Sequence, residues 1–151
     1  QPLVHALTCH NTINKAGRLF VITDRGTFSA ALNVATRIEH HTHAIFVGEP
    51  PSARPNLYGD AEQFMLPASR IRVSISALYW QESDPRDDRP WITPDLPVRL
   101  SYDQYAAGRD PALQVIMEYD PAQAPESLKG PPNENWDRPS QSRGWEIVTD
   151  R

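Results

Sequence analysis

The 151-residue chain is poor in cysteine and lysine and has no long apolar run. Its single cysteine, Cys9, excludes an internal disulfide and leaves the redox compartment of the protein open. No segment approaches the ~20 apolar residues that a membrane-spanning helix needs, so we expect no membrane span. No basic segment followed by an apolar one stands at the N-terminus, and we therefore expect no signal peptide in this stretch.

Acidic residues outnumber basic ones, since the net charge is -4 and the isoelectric point is near 5.7. This balance argues against a nucleic-acid-binding surface. A glycine-rich phosphate loop is missing as well, and we expect no cofactor. The length suits one domain, but 15 prolines and a mean hydropathy of -0.56 predict much irregular, exposed chain.

The first half of the chain predicts a βαβ unit. Leu19–Ile22 and Ala44–Val47 are short apolar runs between turn signals, typical of strands that are covered on both faces. Between them, apolar residues recur at helical spacing from about Phe28 to His41. Two such strands around one helix pair in parallel. A short helix over residues 2–10 precedes the unit.

The second half predicts a hairpin and a helix. We expect a long loop over Glu49–Asp60, followed by antiparallel strands over Glu62–Leu66 and Ile71–Trp80, because polar and apolar residues alternate there. Trp91–Val98 reads as an extended edge segment because of its prolines. Beyond it, Asp110 and Pro111 are typical of a helix N-cap and the first helical position.

The most informative position is Ser29, where the strand, a tight turn and the predicted helix meet. A helix start offers unpaired N–H groups and the positive end of the helix dipole. A serine there can attack a carbonyl whose oxyanion those N–H groups stabilise. The alternative is structural: Thr27 or Ser29 is the N-cap of the helix and nothing more.

Three short motifs follow one another in the chain: Thr27-Phe-Ser-Ala-Ala31, Ala44-Ile-Phe-Val-Gly-Glu-Pro50 and Ile92-Thr-Pro-Asp-Leu-Pro-Val98. In this order, over about residues 15–118, they resemble the tail-specific (C-terminal-processing) serine peptidases. The stretch Leu78–Trp91 resembles a poorly characterised bacterial branch of that family. The resemblance implies an α/β fold: a partial ClpP/crotonase-like domain with a βαβ unit, an antiparallel hairpin and a C-terminal helix.

The resemblance also implies roles for particular residues. Ser29 matches the nucleophile of the family, and the Ala30 N–H matches one oxyanion-hole donor. The lysine base of the family falls at Arg54, which stays protonated and cannot act as a base. Neither Lys15 nor Lys129 lies near the required place. The resemblance then implies a histidine base, as in tricorn-type relatives, from a missing N-terminal half of the same protein.

On this interpretation, residues 1–119 form the C-terminal half of a catalytic domain, and the proline-rich residues 120–151 form a mobile tail in which Trp145–Val148 is a possible strand. The resemblance implies peptide or protein substrates and a fragment that is nearly inactive alone; relatives are often extracytoplasmic. Tyr58 and Asp60 are candidates to line the substrate cleft, against a plain turn capped by Asp60. The alternative function is an inactive binding module for a small apolar ligand or a protein partner, with Tyr79, Trp80 and Trp91 on its surface.

Three other groups of residues have both a functional and a structural interpretation. His40, His41 and His43 follow one another at the end of the predicted helix, where a metal site competes with favourable charge at a helix C-terminus. The acidic residues Asp84, Asp87 and Asp88 alternate with Arg86 and Arg89, which favours a salt-bridged surface turn over a calcium site. A Cys9 nucleophile paired with His5 or His10 is disfavoured, because no strand–turn–helix pattern surrounds it.

Overall fold

The computed structural model describes residues 2–123 and has the mixed helix and strand content of the α/β class. Its helices are α1 (Pro2–Cys9), α2 (Ala30–His41), α3 (Tyr102–Ala106) and α4 (Pro111–Met117). Its strands are β1 (Phe20–Thr23), β2 (Ile45–Gly48), β3 (Leu57–Met65), β4 (Arg72–Trp80) and β5 (Leu96–Pro97). The predicted strand at 145–148 and nearly all of the predicted tail lie outside the described residues.

The predicted βαβ unit is confirmed. Strands β1 and β2 pair in parallel from Phe20 opposite Ile45 to Thr23 opposite Gly48, and α2 connects them. Strand β5 joins the other side of β2, also in parallel, so the sheet order is β1-β2-β5. The extended segment that the sequence predicts over Trp91–Val98 is reduced to the two residues of β5, since its prolines lack the N–H donors of a longer ladder.

The core lies on both faces of β2, all four residues of which are buried. On one face, Leu32 and Ile38 of α2 pack with Phe46 of β2. On the other face, Ala112 of α4 packs with Ile45 and Val47. The prediction of full burial is therefore confirmed for β2.

The same prediction is wrong for β1, where Ile22 is 50% exposed. Position in the sheet explains the difference. Strand β1 is at an edge of the three-stranded sheet, whereas β2 is its central strand. The sequence shows that the residues of a strand are apolar, but it does not show whether other elements cover both faces of the strand.

The predicted hairpin is confirmed, but β3 is longer than the sequence indicates. The ladder runs from Leu57 opposite Trp80 to Met65 opposite Arg72, so the predicted loop over Glu49–Asp60 is wrong from residue 57 onward. Leu57 is buried in the core, whereas the remaining residues of β3 and β4 are exposed or only half-buried. The hairpin is thus anchored at its base and projects from the body.

The helices at the two ends of the described chain agree with the sequence. Helix α1 covers eight of the nine predicted residues. The Asp110 carboxylate accepts a hydrogen bond from the Leu113 N–H at 3.0 Å, which confirms it as the N-cap of α4. Helix α3 was not expected. Among residues 2–123, none of the helices combines the length and the apolar character needed to cross a bilayer.

Candidate functional site

The loop between β1 and α2 is held by its own side chains. The Asp24 carboxylate accepts a hydrogen bond from the Gly26 N–H at 2.9 Å and one from the Thr27 hydroxyl at 3.2 Å. The Thr27 hydroxyl in turn accepts one from the Asp24 N–H at 3.1 Å. The Thr27 side chain is therefore used within the loop, and Thr27 is not the N-cap of α2.

Ser29 adopts a backbone conformation that L-residues rarely occupy, with φ 54° and ψ -125°. The Ala31 N–H donates to the Phe28 carbonyl at 3.2 Å and closes a four-residue turn around it. These angles match the second residue of a type II′ turn, where glycine is the favoured residue. A non-glycine residue held there costs about 1–3 kcal/mol, and such positions cluster at functional sites.

The hydroxyl of Ser29 does not cap the helix. Ser29 occupies the N-cap position of α2, yet its side chain makes no cap hydrogen bond, and the residue is exposed. Ser101 provides the contrast, because its hydroxyl accepts from the Gln104 N–H at 3.2 Å at the start of α3. The helical N–H of Ala30 belongs to the first turn of α2, whose N–H groups lack intrahelical acceptors. An exposed hydroxyl and a helix N-terminus thus share one corner.

The segment after β2 lies beside this corner. Gly48 has φ 112°, and a Cβ atom there would lie 2.3 Å from the Thr23 carbonyl oxygen, so only glycine fits. Thr23 and Glu49 exchange two hydrogen bonds of 2.9 Å, from the Glu49 N–H to the Thr23 carbonyl and from the Thr23 hydroxyl to the Glu49 carbonyl. The Ser52 N–H donates to the Thr27 carbonyl at 3.4 Å. The Gly-Glu-Pro segment therefore packs against the loop that leads to Ser29.

The other predicted site residues lie further along the chain. Arg54 is exposed in the segment that follows Gly48. Tyr58 and Asp60 belong to β3 rather than to a loop, so the interpretation of Asp60 as a turn cap is wrong. The Tyr58 ring contacts Tyr79 across the hairpin, with the ring centroids 4.9 Å apart, and Asp60 has φ 48°. Their role in a substrate cleft stays a prediction.

Asn33 was missed by sequence reasoning. Its N–H donates to the Ser29 carbonyl at 2.9 Å, and its Oδ1 atom is buried without a hydrogen-bond partner among the described residues. Buried acceptors are nearly always paired, and unpaired ones point to a function or to a bound donor. The sequence held one weak indication of this contact: Asn33 is four residues after Ser29, and residues four apart lie on the same face of a helix.

The expected salt-bridged turn is confirmed by the Arg86–Asp84 and Arg89–Asp87 pairs. It is not confined to the surface, however, because the Asp87 side chain is fully buried. Arg89 also pairs with Glu39 of α2 at 2.8 Å. Burial raises the pKa of Asp87, but hydrogen bonds from Arg89 and Ser83 outweigh burial, so this pKa lies below its ordinary value.

As expected, His40 and His41 lie in the last turn of α2 and His43 follows the helix. His40 extends the charged network. Its Nε2 atom lies 3.0 Å from the Ser83 hydroxyl, which donates to Asp87 at 2.6 Å. Ser83 thus lies between the histidine and the carboxylate, whereas a triad places the histidine in the middle. Because Ser83 is also buried, it is not a candidate nucleophile. Within residues 2–123, no group of three or more His, Cys, Asp and Glu side chains is placed to hold a metal ion.

Cys9 ends α1 and is exposed, with its Sγ atom 3.8 Å from Nε2 of His5.

No family model, curated protein or solved structure matches the chain. The resemblance to serine peptidases therefore remains a prediction from three motifs. The functional argument accordingly rests on the geometry of the Ser29 corner.

Proposed function

We propose that this chain is part of a serine-type peptidase domain of the ClpP/crotonase type, with Ser29 as its nucleophile. The observation that carries the proposal is the Ser29 corner: a serine in a strained backbone conformation, exposed, with a hydroxyl that does not cap its helix. Glycine would relieve the strain, and a plain N-cap would use the hydroxyl. A nucleophile accounts for both features, because its hydroxyl must face the substrate.

The proposed reaction is acyl transfer. The Ser29 Oγ atom attacks the carbonyl carbon of a peptide bond and loses its proton to a general base. The Ala30 N–H stabilises the negative oxygen of the tetrahedral intermediate. The C–N bond then breaks, the amine leaves with the proton from the base, and water hydrolyses the acyl-enzyme. The substrates would be unstructured peptides or protein C-termini.

The base would come from outside this chain. Arg54 stands where the resembling family has its lysine, and an arginine does not give up its proton near neutral pH. We therefore place a histidine in an N-terminal half of the same protein and expect the 151-residue chain alone to be almost inactive. The partner in catalysis is then that missing half.

Fluorophosphonate labelling tests this proposal on the chain itself. The Ser29 oxygen attacks phosphorus and fluoride leaves, so labelling reports an activated serine. We expect slow labelling that free imidazole accelerates by about 10-fold or more, since imidazole replaces the missing base. Ser29→Ala should abolish the label. Ser101→Ala is the matched control, because it removes a hydroxyl that does cap its helix.

The second candidate function is a binding module without catalysis. Arg54 favours it, as do the exposed aromatic side chains of Tyr58 and Tyr79. Absence of labelling of the folded protein, with and without imidazole, would support this second function. Labelling that persists in Ser29→Ala would reject Ser29 as the nucleophile.

A further inference from the structure

The far end of the β3–β4 hairpin is apolar and positively charged. We call residues 64–73 the hairpin tip; they include two arginines, Arg70 and Arg72, and no acidic residue. Neither arginine forms an ion pair within residues 2–123. The large apolar side chains of the hairpin tip are about half exposed: Phe64 (48%), Met65 (52%), Leu66 (45%) and Ile71 (58%).

Apolar side chains lie on both faces of the hairpin tip. Phe64 pairs with Val73 on one face, and Met65 pairs with Arg72 on the other, because successive rungs point to opposite sides. A protein partner that packed on one face would leave the other face in water. A medium that surrounds the tip covers both faces at once, and the boundary between lipid headgroups and acyl chains is such a medium.

The charges of the hairpin are separated along its length. Its acidic residues, Asp60 and Glu62, lie in the middle of β3, roughly 7–14 Å from the Phe64 rung at ~3.4 Å per residue. The buried base at Leu57 is ~24 Å from that rung. Because salt screens charges beyond about 8 Å at physiological ionic strength, the two arginines dominate the field at the hairpin tip. The tip therefore attracts anions although the whole chain has a net charge of -4.

Hydrogen bonds within the hairpin tip pair part of its backbone. The Leu66 N–H donates to the Ile71 carbonyl at 2.9 Å, and the Arg70 N–H donates to the Leu66 carbonyl at 2.9 Å. Pro67 has no N–H group to satisfy. Unpaired backbone groups are costly in an apolar medium, so these bonds lower the cost of moving the turn out of water.

We propose that the hairpin tip inserts into the surface of a membrane that contains anionic lipids. Phe64, Leu66 and Ile71 enter the boundary between headgroups and acyl chains, and Arg70 and Arg72 bind the negatively charged headgroups. From the Phe64 rung to its end, the tip measures about 10 Å, which suits the depth of about 5–10 Å reached by interfacial segments. Arginine side chains bury their methylene groups in apolar surroundings while the guanidinium groups reach back to the headgroups.

Flotation of the 151-residue chain with lipid vesicles tests the proposal. The vesicles consist of phosphatidylcholine alone or of two parts phosphatidylcholine to one part phosphatidylserine. We expect at least ~10-fold stronger binding to the mixed vesicles, because each arginine near an anionic surface strengthens binding about 5-fold. Arg70→Gln should weaken binding to the mixed vesicles about 5-fold. Leu66→Ser should weaken it about 10-fold, since an inserted apolar side chain is lost.

Two variants outside the hairpin are matched controls. Arg109→Gln also removes the charge of one exposed arginine. Leu113→Ser makes the same change as Leu66→Ser, at a leucine of α4 that is 48% exposed, against 45% for Leu66. Both control variants should bind the mixed vesicles as the wild type does.

Three outcomes would overturn membrane insertion. The first is that the folded wild-type chain does not bind the mixed vesicles, which would leave the hairpin tip to a protein partner. The second is an equal loss of binding in the tip variants and the controls, which would indicate unspecific adsorption. The third is a loss in Arg70→Gln without a loss in Leu66→Ser, which would show that the tip touches headgroups but does not enter the bilayer. Because residues 66 and 70 are exposed, both tip variants should fold, and circular dichroism checks this.

Discussion

Two residues with positive φ define the edge of the sheet where the candidate site lies. Ser29 follows β1 through a short loop, and Gly48 ends β2 directly opposite Thr23. At position 48 a glycine is required, because the backbone of β1 passes too close for a Cβ atom. At position 29 a serine is present, although its backbone conformation favours glycine. Each difference leads to a measurable effect on stability.

Gly48→Ala should destabilise the fold by about 3 kcal/mol or more, since the new methyl group would meet the Thr23 carbonyl oxygen at 2.3 Å. Gly108→Ala is the control. It has φ 64° but open space around it, so it should cost only the ~1–2 kcal/mol of the left-handed conformation. Urea unfolding measures both values. Equal costs would show that β1 and β2 tolerate separation at this point.

Ser29→Gly should raise the free energy of unfolding by about 1 kcal/mol, because relief of backbone strain exceeds the extra entropy of glycine in the unfolded chain. Ser29→Ala keeps the strain and loses no cap bond, so its stability should match the wild type within about 0.5 kcal/mol. Thermal or urea unfolding checks both variants. A loss of about 1 kcal/mol in Ser29→Ala would mean that the hydroxyl does cap α2.

At the level of elements, a charged network ties the segment after β4 to α2. Arg89 bonds Glu39 of the helix and Asp87 of its own turn, and Arg37 bonds Glu82. Breaking a buried pair on one side leaves an uncompensated charge, which is why such pairs are costly to disrupt. The network fixes where the chain passes from the hairpin back to the sheet.

The pH dependence of stability should report Asp87. Its pKa is lower in the folded state than in the unfolded chain, so the stabilisation is present above pH ~4 and is lost as the pH falls through the folded value. Asp87→Asn should lower stability at pH 7 by about 1–3 kcal/mol and flatten its decline below pH 4. Unfolding by urea between pH 2 and 7 measures this, with the exposed Asp88→Asn as control. An unchanged slope would show that Asp87 is not buried as an ion.

For the whole molecule, the sequence predicted those features that depend on local periodicity. The helical spacing of Ala31, Val34, Ala35 and Ile38 revealed α2, and alternation revealed the hairpin. The open side of β1 and the burial of Asp87 were not predictable, because each depends on neighbours distant in the chain. The backbone of Ser29 was not predictable because no glycine marks its positive φ. The strand–turn–helix pattern of the sequence identified Ser29 as a candidate, whereas only the structure shows its backbone conformation and its free hydroxyl.

The base of the hairpin has a mechanical consequence. Leu57 is the buried residue of the hairpin, and the strands beyond it project outward. The hairpin is therefore attached to the body at its base. A substitution near Leu66 should therefore leave the parallel sheet undisturbed. The corner around Ser29 should likewise keep its shape.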